Sequence, residues 1–165
     1  MAITRLGGAN AITGTIPTSV APGQGKVLQV KSSKSNTEVT FTTSGTEVFA
    51  LEVSITPAST SNKILVSMHT NGVDSGGGGR AVSVLRRGTV SGDTSGTEIG
   101  SFNLANTDTN ASGKIGGSLM VLDTPSSTST LYYKINMYNQ DDSNQSHLSQ
   151  YGEDDYSITV MEIAG

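Results

Sequence analysis

Apolar residues in this sequence recur at every second position, and no segment carries a helical stripe. FALEVSI sets Phe49, Leu51, Val53 and Ile55 on one face against Ala50, Glu52 and Ser54. TLYYKINMY sets Leu131, Tyr133, Ile135 and Met137 in phase, and KILVSMHT does the same with Ile64, Val66 and Met68. A period of two is the repeat of a β-strand, whose side chains point alternately to opposite faces. RAVSVLRR places Val82 and Val84 opposite Ala81 and Leu85, SLMVLD places Leu119 and Val121 in phase, and YSITVMEIA places Ile158 and Val160 opposite Thr159, Met161 and Ile163. KVLQV, EVTFTT and TEIGSF are weaker strands. Eight or nine strands separated by turn-rich gaps predict an all-β, antiparallel β-sandwich of jelly-roll type. Without helices between strands, a parallel βαβ architecture is excluded. The expected core is Phe49, Leu51, Val53, Ile55, Ile64, Val66, Val82, Val84, Leu119, Val121, Leu131, Tyr133, Ile135, Ile158 and Val160.

Bulky residues are few for such a core. Val, Ile, Leu and Phe number 36 of 165, whereas Ser and Thr number 44 and Gly 20. A formal net charge of only −4 nevertheless favours a folded chain over a disordered one. The length suits one domain, expected at residues 26–165. Residues 1–25, MAITRLGGANAITGTIPTSVAPGQG, hold neither period and are broken by Gly and Pro. They read as an extended arm whose isolated apolar residues Ile3, Leu6, Ile12, Ile16 and Val20 fill small pockets on a partner or a neighbouring copy. Such an arm reaches roughly 80 Å at about 3.3 Å per residue.

LEVSITPASTS (51–61) and LMVLDTPSSTS (119–129) agree at seven of eleven positions. Proline lacks the N–H that a ladder needs, so Pro57 and Pro125 are expected to end their strands. The echo suggests two equivalent hairpins in one sandwich.

Chemistry is sparse. Cysteine is absent, which excludes disulfides, thiol catalysis and Cys-based zinc sites. His69 is expected to face outward from a strand and His147 to sit in a polar loop, neither with a ligand-spaced partner. Gly76–Ala81 matches GxGxxA, but a strand follows it where a dinucleotide site needs a helix N-terminus, so it reads as a hairpin loop. Residues 135–165 carry six acids and no Lys or Arg. Asp141, Asp142, Glu153, Asp154 and Asp155 are a solvated acidic loop, with a cation site as the lesser alternative because the EF-hand order is missing. Tyr132 and Tyr138 should share a strand face opposite Tyr133, at a sheet surface or subunit interface. Arg86-Arg87 puts a charge on each face of one strand. That places the strand near an edge, or sets one arginine against an acid of a neighbouring subunit. No catalytic residue, metal or cofactor is expected. An acidic pI argues against nucleic acid, and neither a membrane span nor a signal peptide is visible.

ITRLGGANAITGTIPTSVAPGQGKVLQV, SITPASTSNKILVSM and YSITVMEIAG resemble blocks of small virion proteins of tailed bacteriophages, many from marine samples and labelled tail-fibre-like or decoration-like. The resemblance covers most of the chain apart from loops 71–80, 88–98 and 103–114. It implies a non-enzymatic virion component, made in the host cytoplasm and exposed on the particle. The chain has a body and an arm but no heptads, Gly-X-Y period or long repeat to form a shaft. The leading expectation is therefore a capsid decoration or cement protein, attached through its arm to the major capsid protein or to tail proteins. The alternative is a tail-fibre or adhesin module whose loops bind a host-surface glycan or receptor. A homotrimer is the expected state, since a polar domain with few bulky residues gains buried surface by self-association.

Overall fold

The computed structural model describes residues 25–42, 44–75, 80–104, 114–140 and 145–165. The arm residues Ile3, Leu6, Ile12, Ile16 and Val20 lie outside these residues, as do the glycine run 76–79 and Asp141 and Asp142.

The described residues form ten strands, where eight or nine were expected: β1 (Val27–Ser35), β2 (Val39–Phe41), β3 (Val48–Ile55), β4 (Lys63–Ser75), β5 (Ala81–Gly88), β6 (Thr97–Leu104), β7 (Ile115–Asp123), β8 (Leu131–Asn139), β9 (Ser146–Leu148) and β10 (Tyr156–Ile163). The additional element is the three-residue β9, too short to show a period. Among the described residues the one helical element is a 3₁₀ turn, Gln150–Gly152, and no helix is long and apolar enough to cross a membrane.

Among the described residues these strands pair antiparallel throughout. One sheet runs β1–β10–β4–β7, with β9 and β2 added at the tip of β4; the other runs β3–β8–β5–β6. The pairs β1/β10, β3/β8, β4/β7 and β5/β6 form one long two-stranded ribbon that folds back and forth between the sheets. That is the jelly-roll winding, a sandwich of two Greek keys.

The winding explains the internal echo and corrects its reading. β3 and β8 lie in one sheet, β4 and β7 in the other. Residues 56–62 and 124–130 therefore carry the chain from sheet to sheet, and neither block is a hairpin. They are the two strands of the ribbon bending at the same corner. Ile55 pairs with Leu131 just before the bend, Ile64 pairs with Asp123 just after it, and the Thr56 and Thr130 hydroxyls meet at 2.9 Å across it. The strands end before Pro57 and Pro125 as expected. Likewise β4 and β5, which flank the glycine run, lie in different sheets, so that run does not join a hairpin.

The core holds Val53, Ile55, Ile64, Val66, Leu131, Tyr133, Ile135, Ile158 and Val160, all buried, with Leu51, Leu119 and Val121 partly buried against it. Phe41, Leu104, Leu148 and Tyr156 join them from segments with weak patterns. Three expected core residues are elsewhere. Val48 pairs with Met137 and Leu51 with Ile135, leaving Ala50 as the extra residue of a bulge. One extra residue shifts the phase of everything before it. Val48 therefore turns to the core, and Phe49 goes to the outer face opposite Asn136. Val82 and Val84 are buried, but on the outer face, where they pair with Tyr138 and Asn136. The core side of β5 is Ala81, Ser83 and Leu85; the Ser83 hydroxyl lies 3.3 Å from that of Thr70 and 3.1 Å from Met137 Sδ. Nor is β5 an edge strand: β8 and β6 flank it.

Candidate functional site

The hairpin loop between β5 and β6, residues 89–96, is fastened to the outer face of the β3–β8–β5–β6 sheet by side chains from three strands. On β3, Glu52 accepts from the Ser91 hydroxyl and, at 2.9 Å, from the Gly92 N–H. On β8, the Lys134 ammonium donates to Asp93 and to Ser95 O (3.2 Å), and Asn136 Nδ2 donates to Thr94 O (3.2 Å) and to Glu47 (2.7 Å). On β5, Arg86 donates through Nε to Glu47 (2.7 Å), through Nη2 to the same carboxylate, and through Nη1 to Gly96 O (3.0 Å). Lys134 and Asn136 are fully buried. A buried ammonium requires a partner, and the loop provides it.

Glycine makes the close approach possible. Gly96 has φ +119°, and a Cβ there would lie 2.4 Å from Arg87 O. The loop thus leaves its clamp only by passing flat against β5, a path no other residue follows without strain.

The carboxylates respond to this setting. The Arg86 guanidinium holds Glu47 below its ordinary value against the opposing effect of burial, with Asn136 assisting. The Lys134 hydrogen bond, followed by that of Ser95, holds Asp93 low. Groups with depressed folded values stabilise the native state fully above their ordinary values and lose that contribution as pH falls through the folded ones. The loop should therefore stay fastened near neutral pH and loosen below about pH 4. Lys134→Met, which keeps the stem and removes the ammonium, tests the clamp directly. A charge-assisted bond of about 1.5 kcal/mol corresponds to roughly tenfold in opening. The amides of residues 91–96 should exchange about that much faster, with those of β4 and β10 unchanged. Unaltered loop exchange would show that the clamp does not restrain it.

Arg86 and Arg87 both find their acids within the chain, so neither needs a neighbouring subunit. Arg86 also lies 3.7 Å from Glu98. Arg87 Nη1 donates to both oxygens of Asp123, at 2.7 and 2.8 Å, and the Tyr133 hydroxyl donates to Asp123 at 2.7 Å. Burial, then the bond to that carboxylate, pushes the Tyr133 hydroxyl well above its usual range. Beside the loop, between it and the corner at 124–130, lies a cleft of about 380 Å³.

Other candidate chemistry is dispersed. His69 is exposed on an outer face. His147 lies on β9 rather than in a loop, and its Nδ1 meets both Glu38 (2.6 Å) and the Thr40 hydroxyl (3.3 Å). One ring nitrogen serving both partners cannot relay a proton between them as a triad does. The Tyr151 N–H, then His147, holds Glu38 below its ordinary value. In the acidic segment Glu153 and Asp154 bind Lys114 (2.7 and 3.0 Å) and Asp155 binds Lys34 (2.7 Å). Among the described residues no three metal-ligating side chains converge. Tyr132 and Tyr138 are half-buried on the face opposite the buried Tyr133.

The outer face of the other sheet carries a second feature. Val30, Met161, Leu65 and Leu122 are neighbours in register across β1, β10, β4 and β7. Val30 and Leu122 are 52% and 53% exposed, and Val27, Leu28 and Met120 extend the apolar row. Gly25, the first described residue of the chain, lines a hollow of about 360 Å³ with Leu122 and Ile163 at the rim of this row.

No protein-family model and no curated protein matches the sequence. Among solved structures, the chain is similar to one described as Bacillus endospore appendages forming a novel family of disulfide-linked pili. It shares 14% identity at a TM-score of 0.40, over 86% of this chain and 94% of the other. It is also similar to the VP2 subviral particle of infectious bursal disease virus, with 12% identity, a TM-score of 0.45 and 86% of this chain covered. A structure of the Gx strain of that virus gives 9% identity and a TM-score of 0.39 over 84% of this chain. The chain spans about a third of the length of each viral protein, 34% in both cases.

Proposed function

We propose that this chain is a non-enzymatic structural protein of a tailed-bacteriophage virion, a capsid decoration or cement protein held in place through residues 1–25. The observation that carries this reading is the exposed apolar row across β1, β10, β4 and β7. Exposed apolar surface that is contiguous marks a contact surface. Its position favours one occupant. The segment with Ile3, Leu6, Ile12, Ile16 and Val20 joins the body at the rim of the row, and it is long enough to reach well beyond its own domain. The arm of a neighbouring copy laid across this row would bury both apolar sets and link the copies, which fits a trimer on the particle surface. Each anchor contributes roughly 1.5–3 kcal/mol when fully buried.

Deleting residues 1–24 should leave a folded body that no longer joins particles. The measurement is incorporation of the truncated protein into particles lacking it, with its melting temperature as the control for folding. Leu122→Glu, which charges the row, should also reduce incorporation and shift the free protein to monomer in light scattering. Normal incorporation of the truncated chain would mean that the body makes the attachment by itself.

A second reading, a tail-fibre or adhesin module, is favoured by one feature, the clamped loop 89–96 with a cleft beside it. Binding residues sit disproportionately on loops that a rigid scaffold positions. Copy number per virion separates the two readings: hundreds of copies support decoration, and a small multiple of three supports a tail.

A further inference from the structure

We propose that the cleft between loop 89–96 and the 124–130 corner binds a short neutral saccharide. The inference rests on the second reading's cleft and names its ligand class; it does not depend on attachment through residues 1–25, and binding by the isolated chain tests it apart from copy number per virion. At about 380 Å³ the cleft falls within the roughly 300–1,000 Å³ typical of small-molecule sites.

Its lining specifies the class of ligand. Arg87 is the charged residue of the wall, and Asp123 already balances that charge through two hydrogen bonds to Nη1. The guanidinium is thereby fixed in place, and its remaining N–H groups stay available as donors. A phosphate or sulfate requires a cation not already compensated, so the cleft does not favour one. Four hydroxyl-bearing residues, Thr89, Ser95, Thr97 and Ser127, line the cleft with the arginine. The hydroxyls of Thr89 and Thr97 make no hydrogen bond within the described residues. The Ser127 hydroxyl accepts from the Ser129 N–H at 3.0 Å and keeps its proton to give. The Ser95 hydroxyl donates to Asp93 at 2.5 Å and keeps lone pairs to accept. Pro125, half-buried, contributes apolar surface against which the C–H face of a sugar ring can pack. Donors and acceptors of this density, without net charge and with a small apolar wall, match a polyhydroxyl ligand.

The site is also pre-organised. Ser95 and Thr97 flank Gly96, whose carbonyl Arg86 holds, and Lys134 holds the carbonyl of Ser95. A wall already fixed in the free protein loses little conformational freedom on binding.

The test is a titration of the isotope-labelled full chain, followed by amide chemical shifts. The neutral probes are glucose, galactose, N-acetylglucosamine and their β-1,4-linked disaccharides; glucuronate and inorganic sulfate are the charged probes. At least one neutral probe should give saturable shifts confined to residues 87–97 and 125–131. Thr89→Trp, at the exposed mouth of the cleft, should weaken that binding by at least about tenfold with no change in melting temperature. Thr97→Val, which removes one hydroxyl without filling space, should weaken it less. The proposal is overturned if no neutral probe gives saturable shifts up to about 100 mM, far above the millimolar range of weak sites. It is equally overturned if the shifts survive Thr89→Trp, or if only glucuronate or sulfate binds.

Discussion

Replacing Ile135 by alanine is expected to destabilise the chain by about 2–5 kcal/mol, through lost burial plus the cavity left behind. Ile135 is fully buried at the centre of β8, between Leu51 of β3 and Leu85 of β5. Strands on both sides fix its backbone, so the site has little freedom to collapse into the gap. For a chain of this size each kcal/mol moves the melting temperature by about 2–4 °C, so a fall of roughly 4–20 °C should be seen. Val53→Ala, at a position 7% exposed, should cost less. Leu28→Ala, at 44% exposure, should stay within about 0.5 kcal/mol. Thermal or denaturant unfolding of the three variants gives the ranking. A cost below about 1 kcal/mol at Ile135 would mean that the two sheets do not pack on each other there.

The alternation around Ile135 was plain in the sequence because β8 presents Leu131, Tyr133, Ile135 and Met137 to one side without interruption. The reading failed where local period and tertiary environment part. Ala50 is an ordinary strand residue, and nothing in FALEVSI marks it as the extra residue that turns Phe49 outward. In β5 apolar residues occupy both faces, and the core side is the one carrying Ser83. A period of two gives two faces but does not say which is covered. The Thr-Pro-Ser blocks were visible as a pair, yet their role as one corner depends on the pairing of β3 with β8 and β4 with β7, which no local pattern encodes.

The clamp was half legible. Two adjacent arginines on a strand demanded acids, and the acids exist, but they stand 39 and 36 residues away at Glu47 and Asp123. Lys134 and Asn136 occupy the face of β8 opposite the core, where a lysine and an asparagine read as solvent-facing. They are buried because loop 89–96 folds over them. The available signal was the pair Gly92 and Gly96 with Asp93 between, a composition suited to a tight, positive-φ path. It marks a turn but not what the turn covers.

Glu162→Ala is expected to cost about 2–5 kcal/mol, because it strands the buried Asn62 amide and the Ala58 N–H, while Gln29 Nε2 keeps the Thr56 carbonyl at 2.9 Å. The side chain points to the buried side of β10 in phase with Ile158 and Val160, and is 1% exposed. Oε1 accepts from Asn62 Nδ2 at 2.5 Å and from the Ala58 N–H at 2.7 Å; Oε2 accepts from Gln29 Nε2 at 2.6 Å. One carboxylate thus joins β1, the 56–62 corner and β10 at the end of the sandwich where the arm enters. Burial raises its pKa, but the bonds from Asn62, Gln29 and Ala58 outweigh that and hold it below the ordinary value of 4.5. The sign follows: the contribution is complete above the ordinary value and lost as pH falls through the lower, folded one. Glu162→Gln retains Oε1 but sets an amide donor against Gln29, so it should fall between wild type and the alanine variant. Melting temperatures of wild type and Glu162→Gln should differ most near neutral pH and converge below about pH 4. A gap that stays constant down to about pH 3 would show that folding leaves the Glu162 pKa unshifted, and the bonds from its three donors would then need another explanation.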